Sequence, residues 1–379
     1  MNSITPAERQ SIAEYRQQHV PLYNENKLKL GLFSMNCSGG MIISEAPSSW
    51  TIEWDYHLRL AQTADKLGFE AYVPVARWRG VGGPMDFLGQ NYETFTYASA
   101  MAASTENIMT FATVHAPIIH PIVAAKGGAT IDNVSHGRFG MNVVMGWLVP
   151  EFEMFGVKQR DHETRYRYGA EWMEVVDRLW GEAEHFDFDG EFLQLKDAQA
   201  QPKPIQPRPP ILNAGNSPTG AAWAAAHADF NFSSFADIDG AREYTREIKR
   251  VAHDEHDRDI GVLTYALVIC RDTEKEAEEV HQQIIDMADW EAAHNWMSVL
   301  GVESGSFNEQ MRGPLAEFFV AGAGAARVVG TPEQVADQLG KINEAGMEGV
   351  MLGFLNWDSE LEYFGKKVLP LLQQAGLRN

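Results

Sequence analysis

The stretch Gly137-Arg138-Phe139-Gly140-Met141-Asn142-Val143-Val144-Met145-Gly146-Trp147 is the one on which the fold turns. Its centre, Phe139–Met145, is an apolar run that does not alternate with polar residues, as a strand reads when both of its faces are covered. Working outward, the same pattern recurs at Lys29–Met35, Ala71–Val75, Ile108–His115, Ile211–Gly215, Phe230–Ser234, Gly261–Cys270 and Val350–Leu355. Amphipathic stretches follow nearly every run. Trp54–Leu67 places Trp54, Leu58 and Ala61 on one face and stops at Gly68. Tyr168, Trp172, Val175, Val176 and Leu179 keep helical spacing within Arg165–Trp180, and Thr331-Pro332-Glu333 opens a helix that runs to Glu344. Eight covered strands, each backed by a helix, predict an α/β fold of the (β/α)8 TIM-barrel kind.

Three stretches depart from that alternation. Residues 1–26 read as an N-terminal arm ahead of a single barrel domain spanning 27–379. Gly190–Pro210 is rich in proline and reads as an extended connection. An insertion at about 289–328, before the last βα unit, carries Trp290, Trp296, Met297, Phe307, Phe318 and Phe319 without clean periodicity. It reads either as a lid over the C-terminal face, where barrel active sites lie, or as a helical pair at a subunit interface. The acidic run Glu274–Glu279 reads as a solvated helix face.

Composition narrows the function classes. The chain has 379 residues, 45% of them apolar and 22% charged, enough to bury a core without disulfides or metal staples. Its 52 acidic against 31 basic residues give a formal charge of −21, which argues against nucleic acid and against anionic membrane surfaces as partners. No apolar run reaches the length of a membrane span, and Met1–Lys27 lacks an apolar signal core. Cys37 and Cys270 lie far apart and form no metal knuckle; with so few cysteines the expected setting is the reducing cytoplasm.

Few residues offer themselves for hydrolytic or metal chemistry. There is no G-x-S-x-G elbow. His115 with His120, and His253 with His256, lack a carboxylate-histidine pattern, so no metal is expected and structural or surface roles are the simpler reading. Gly322-Ala323-Gly324-Ala325-Ala326-Arg327 lacks the third glycine of a dinucleotide fingerprint and reads as a turn. More informative is Ile211–Gly220, where a strand runs into a glycine turn and Ser217 caps a helix opened by Pro218. That arrangement aims backbone N–H groups and a hydroxyl at one spot, which suits a phosphate, although it also describes an ordinary capped helix. Arg165-Tyr166, expected to begin the helix after the fourth strand, offers a fixed cation and a phenol; its alternative is a surface ion pair with Glu163 or Asp161.

The run from Gly137 to Trp147, with Ala129-Thr130-Ile131-Asp132 before it and Glu151, Arg165-Tyr166 and Gly330-Thr331-Pro332 after it, resembles the bacterial-luciferase-like flavin monooxygenases over about Lys27–Leu372. Arg79–Gly83 and Arg165–Tyr168 resemble the pyrimidine oxygenases of that family, whereas Ser38–Gly40 and Glu362–Gly365 resemble its dimethylsulfone monooxygenases. The resemblance implies a barrel enzyme that takes reduced FMN from a separate NAD(P)H-dependent flavin reductase. It would use O2 to oxygenate a small heterocycle, amide or sulfone, with C–N or C–S cleavage. It further implies FMN contacts at Ala76, Arg77, Asn142, Glu151, Arg165, Tyr166 and Ser217, and an oxygen-side pair of Thr113 and Asn142. Trp147 and Trp78 are expected either to wall the substrate pocket or to serve packing. Arg77 stands where the pyrimidine oxygenases carry Lys, which puts pyrimidine specificity in doubt. Relatives of this kind associate through barrel helices, so a homodimer or homotetramer is expected. The rival expectations are a deazaflavin (F420)-dependent oxidoreductase on the same barrel and a non-catalytic flavin-binding paralogue.

Overall fold

Eleven strands are present in the computed structural model, which describes residues 5–181, 184–235, 237–299 and 314–379. They are β1 (Lys29–Phe33), β2 (Ala71–Val73), β3 (Met109–His115), β4 (Phe139–Val144), β5 (Phe186–Asp189), β6 (Gln194–Ala198), β7 (Ile211–Asn213), β8 (Phe230–Phe232), β9 (Gly261–Cys270), β10 (Ala326–Gly330) and β11 (Gly349–Gly353). All eight strands expected from the sequence are among them, within a residue or two at their ends. The hydrogen-bonded order is β10-β9-β11-β1-β2-β3-β4-β7-β8, and β8 also pairs with β9. Leaving out β10, this is the cyclic order of eight parallel strands, that of a (β/α)8 barrel.

Three strands lie outside the expected count. Strand β10 pairs with the far half of β9, from Ala326↔Ala266 to Gly330↔Cys270, while the near half of β9 pairs with β11. The expected turn therefore covers only residues 322–325, and Ala326-Arg327 already belong to a strand. Strands β5 and β6 form an antiparallel hairpin, with β6 inside the stretch Gly190–Pro210 that reads from sequence as an extended connection and β5 just before it. Both are mostly exposed, so no covered face marks them in the sequence. Residues 300–313 of the expected insertion, Phe307 among them, lie outside the described residues.

The chain divides into two compact units. The first comprises residues 1–24, 93–232 and 248–261. Here β3 and β4 run in register from Thr110↔Phe139 to His115↔Val144. Phe139 and Met141 pack outward against the helix Pro121–Val134, where Gly128 lies close to both. The opposite face of the same two strands carries Phe111 over Gly140, then Thr113 beside Asn142, then His115 beside Val144. Parity in the strands thus turns one amide and one hydroxyl away from the helices.

Several residues of the motif that resembles the luciferase-like enzymes serve this packing. Arg138 donates to the carbonyls of Ala102, Thr105 and Ile108 at 3.1, 2.9 and 2.7 Å. Asp132 accepts from Gln206 N–H and Nε2 at 2.9 and 2.7 Å. The N-terminal arm contributes a helix, Pro6–His19, capped by Thr5 and Glu8. Its Arg16 reaches the buried carboxylate of Asp229 at 2.8 Å, where Arg208 (2.7 Å), Arg258 (3.3 Å) and the N–H of Ile211 (2.8 Å) also converge. Burial alone would raise that carboxyl, but the three arginines outweigh it and hold Asp229 far below the usual carboxylate range.

The second unit comprises residues 25–92, 233–247 and 262–379. Helix Trp54–Lys66 ends at Leu67 and Gly68, and helix Pro332–Glu344 starts from a Thr331–Gln334 capping box, both as expected. Glu274–Asp286 is a helix whose acidic run is exposed and whose buried side is Ala277 and Ile284. Cys37 and Cys270 are both buried and form no disulfide, and burial pushes the Cys270 thiol up to about 12. No described helix is long and apolar enough to cross a membrane.

Candidate functional site

In the first unit, Asn142 Nδ2 donates to Thr113 Oγ1 at 3.0 Å across the β3–β4 register. The backbone carbonyl of Thr113 in turn accepts from Thr94 Oγ1 at 2.7 Å. Asn142 is only 4% exposed, yet its carbonyl oxygen Oδ1 has no hydrogen-bond partner in the protein. A buried acceptor left in that state costs about 1–3 kcal/mol, and a bound ligand is one way to complete it. Two residues further along β3, His115 Nε2 lies 3.7 Å from Glu151 Oε2, and both side chains are buried. Glu151 belongs to the short helix Val149–Met154 that follows β4.

A second polar centre of this unit forms where two helices begin. The second helix after β4 starts at His162, three residues before the expected start at Arg165, with Asp161 as its cap, and runs to Trp180. The spacing of His162, Arg165 and Tyr166 sets all three on one face of its first turns. Ser217 caps the helix Pro218–His227 by accepting from Gly220 N–H at 3.1 Å, and its Oγ also lies 3.1 Å from His162 Nε2.

The phenol of Tyr166 lies beside Ser217 and rests on the backbone between the strand and the helix. A Cβ on Gly215 or Gly220 would come within 2.9 or 2.6 Å of the Tyr166 oxygen, so only glycine allows the phenol in. Burial raises the Tyr166 phenol above its ordinary value and lowers the Arg165 guanidinium. Arg165 Nη1 donates to the carbonyl of Gly146, next to Trp147, while its Nε is buried without a hydrogen-bond partner. The alternative ion pair of Arg165 with Glu163 or Asp161 does not form; Glu163 accepts from Thr219 Oγ1 at 2.7 Å, and Asp161 from Thr164 N–H at 3.0 Å.

The remaining expected residues lie in the second unit. Ala76 and Arg77 follow β2 and are both buried, and Trp78 is half-buried. Their placement depends on Asn36, whose side chain clamps Val75 from both sides, Nδ2 to its carbonyl at 2.8 Å and Oδ1 from its N–H at 2.9 Å. Arg77 Nη1 donates to the carbonyl of Ala76 at 3.0 Å, and its guanidinium lies 5.6 Å over the ring of Trp296. Asn36 and His162 escape the sequence reading. The second had a usable signal in the Asp161-His162-x-x-Arg165-Tyr166 spacing; the first had none. Among the described residues no group of His, Cys, Asp and Glu side chains could hold a metal ion.

The model of the luciferase-like monooxygenase family matches residues 28–349. The chain belongs to this family. It is 32% identical to the pyrimidine monooxygenase RutA of Acinetobacter baylyi, over 91% of this chain and 95% of that one. It is also 32% identical to the FMNH(2)-dependent dimethylsulfone monooxygenase of Pseudomonas putida, over 92% of this chain and 96% of that one. In the same fold, the crystal structure of a riboflavin lyase superposes with a TM-score of 0.84 at 22% identity, covering 93% of each chain. This member of the luciferase-like family is thus an oxidoreductase of the flavin-dependent monooxygenase type.

Proposed function

We propose that the protein is the oxygenase half of a two-component system. It would take reduced FMN from a separate NAD(P)H-dependent flavin reductase and use O2 to oxygenate a small heterocycle, amide or sulfone, with C–N or C–S cleavage following. One observation carries this reading: the buried, unpartnered carbonyl of Asn142, paired with Thr113 in a unit that also gathers His162, Arg165, Tyr166 and Ser217 at two helix starts. When bound, reduced FMN supplies the electrons that activate O2.

The residues present fit that group. Ser217, Tyr166 and Arg165 would hold the phosphate, with His162 beside them. The helix that Ser217 caps directs its N-terminal N–H groups at the same spot. Arg165 is already turned toward the end of β4 by its bond to Gly146. Ala76 and Arg77 would lie beside the isoalloxazine and Glu151 would add a further contact. Reduced flavin carries N–H groups that the oxidised ring lacks, and a fixed acceptor such as Asn142 Oδ1 suits them. The Thr113–Asn142 pair is neutral and buried, so it can face charge developing on oxygen without delivering a proton early. Trp147 and Trp78 would wall the substrate. The dimethylsulfone relative is named for reduced FMN, which supports flavin over deazaflavin here. A cytoplasmic homodimer or homotetramer completes the proposal; two buried cysteines that form no disulfide suit a reducing compartment.

Stopped-flow mixing of the protein and reduced FMN with O2, with uracil and dimethylsulfone as probe substrates, tests the reading. The proposal expects flavin reoxidation at a rate distinct from that of free reduced FMN, and oxygenated product from one probe or a close analogue. Reoxidation at the free-flavin rate, with or without probes, would remove it.

A further inference from the structure

Asp289 is 3% exposed and sits at a junction of three segments of the second unit. Its Oδ1 accepts from Ala292 N–H at 3.0 Å, capping the helix Trp290–Val299, and its Oδ2 accepts from Met85 N–H at 2.9 Å. Its own N–H donates to the carbonyl of Ile43 at 3.2 Å. One side chain and one amide therefore tie the segment after β1, the segment after β2 and the start of the helix together.

Neighbouring bonds close the same circuit. Glu45 N–H reaches the carbonyl of Met287 at 2.9 Å, Leu88 N–H that of Ser38 at 3.0 Å, and Asn295 Nδ2 that of Val81 at 2.9 Å. Gly83 allows the approach: its φ is +78°, and a Cβ there would meet the Asp289 carboxylate oxygens at 2.6 and 2.7 Å. The helix that Asp289 caps carries Trp296, which lies under the Arg77 guanidinium and meets Phe87 edge-on at 5.4 Å.

We propose that Asp289 is a positioning residue: it fastens three loops into one rim and so holds Trp296 and Phe87 where they fix the Arg77 guanidinium. The consequence for the cofactor rests on the reading of Arg77 given above. The chemistry is specific to a carboxylate. Both of its oxygens accept backbone N–H groups, whereas the amide of Asp289→Asn has one acceptor and must turn its NH2 against either Met85 N–H or Ala292 N–H.

Hydrogen exchange of the full-length chain, followed by mass spectrometry, gives the primary test. In Asp289→Asn, exchange at 42–45, 81–89 and 291–297 is expected to accelerate together, by about tenfold or more, with 139–145 unchanged. Gly83→Ala, which keeps the carboxylate but displaces the loop, should reproduce the effect at 81–89 and 291–297. Acceleration confined to 291–297 would reduce Asp289 to an ordinary helix cap, and no acceleration would remove it altogether; either overturns the proposal. A double-mutant cycle on anaerobic binding of reduced FMN then separates the two readings. Arg77→Lys should weaken binding several-fold in the wild-type background and by less in Asp289→Asn. If the three segments loosen together but Arg77→Lys leaves flavin binding unchanged in both backgrounds, the role given to Arg77 fails while the rim stands.

Discussion

The first unit buries two polar centres that differ in how completely they are satisfied. Asp229 has Arg16, Arg208, Arg258 and a backbone N–H on its two oxygens, and Arg208 goes on to Asp177 at 2.8 Å. Asn142 has one bond, to Thr113, and a carbonyl with none. Both lie out of water, so the contrast is not one of exposure. A charge buried with all its partners holds the N-terminal arm, β7 and the chain before β9 together. An acceptor buried without partners lowers stability and gains its bonds only from a ligand. Arg16 Nε and Gln206 Oε1 are also buried without a partner, so what sets Asn142 apart is that its unmatched carbonyl stands beside Thr113 on the strand face turned away from the helices.

The largest effect should come from breaking the satisfied centre. Asp229→Ala leaves three buried arginines facing one another and is expected to cost about 3–5 kcal/mol in urea unfolding; a loss under about 1 kcal/mol would mean the cluster is not structural. Asn142→Ala makes the opposite prediction. Turnover should fall by about 10²–10³-fold while the unfolding free energy stays within about 1 kcal/mol, because the change trades one neutral bond to Thr113 for relief of an unmatched carbonyl. A collapse of stability in that variant would place Asn142 with Asp229.

The pH dependence sharpens the same contrast. Burial, with Arg258 and Arg208 next in weight, pushes His227 down to about 3. The folded state therefore binds fewer protons than the unfolded one between about pH 6.5 and 3, and stability must fall as pH drops through that window. Asp229 remains ionised in both states over most of it and adds its loss only below about pH 4. His227→Gln should accordingly shrink the drop in melting temperature between pH 6.5 and 4.5 by several degrees. An unchanged slope would mean that His227 takes up its proton in the folded chain.

Much of the fold was legible because its signals are local. Covered strands such as Met109–His115 are apolar throughout, and Ser217, Thr331 and Pro332 announce their helices within four residues. The hairpin β5–β6 escaped because its residues are mostly exposed, and β10 because Arg327 and the surrounding glycines mask a five-residue strand. In the site, the motif that marks the family mixes two kinds of residue. Asp132 and Arg138 hold the scaffold, whereas Asn142 leaves an atom unmatched, and sequence alone does not part them. Asp289 had no signal at all, since Met85 lies 204 residues away along the chain.

On the proposed function, the corner around Ser217 holds a phosphate and is more than a helix cap. Ser217→Asp isolates it, because aspartate caps a helix about as well as serine but sets a negative charge toward the bound anion. In anaerobic titration, this variant should bind reduced FMN at least about tenfold more weakly than the wild type, with an unchanged melting temperature. Equal affinity in the two proteins would contradict the claim.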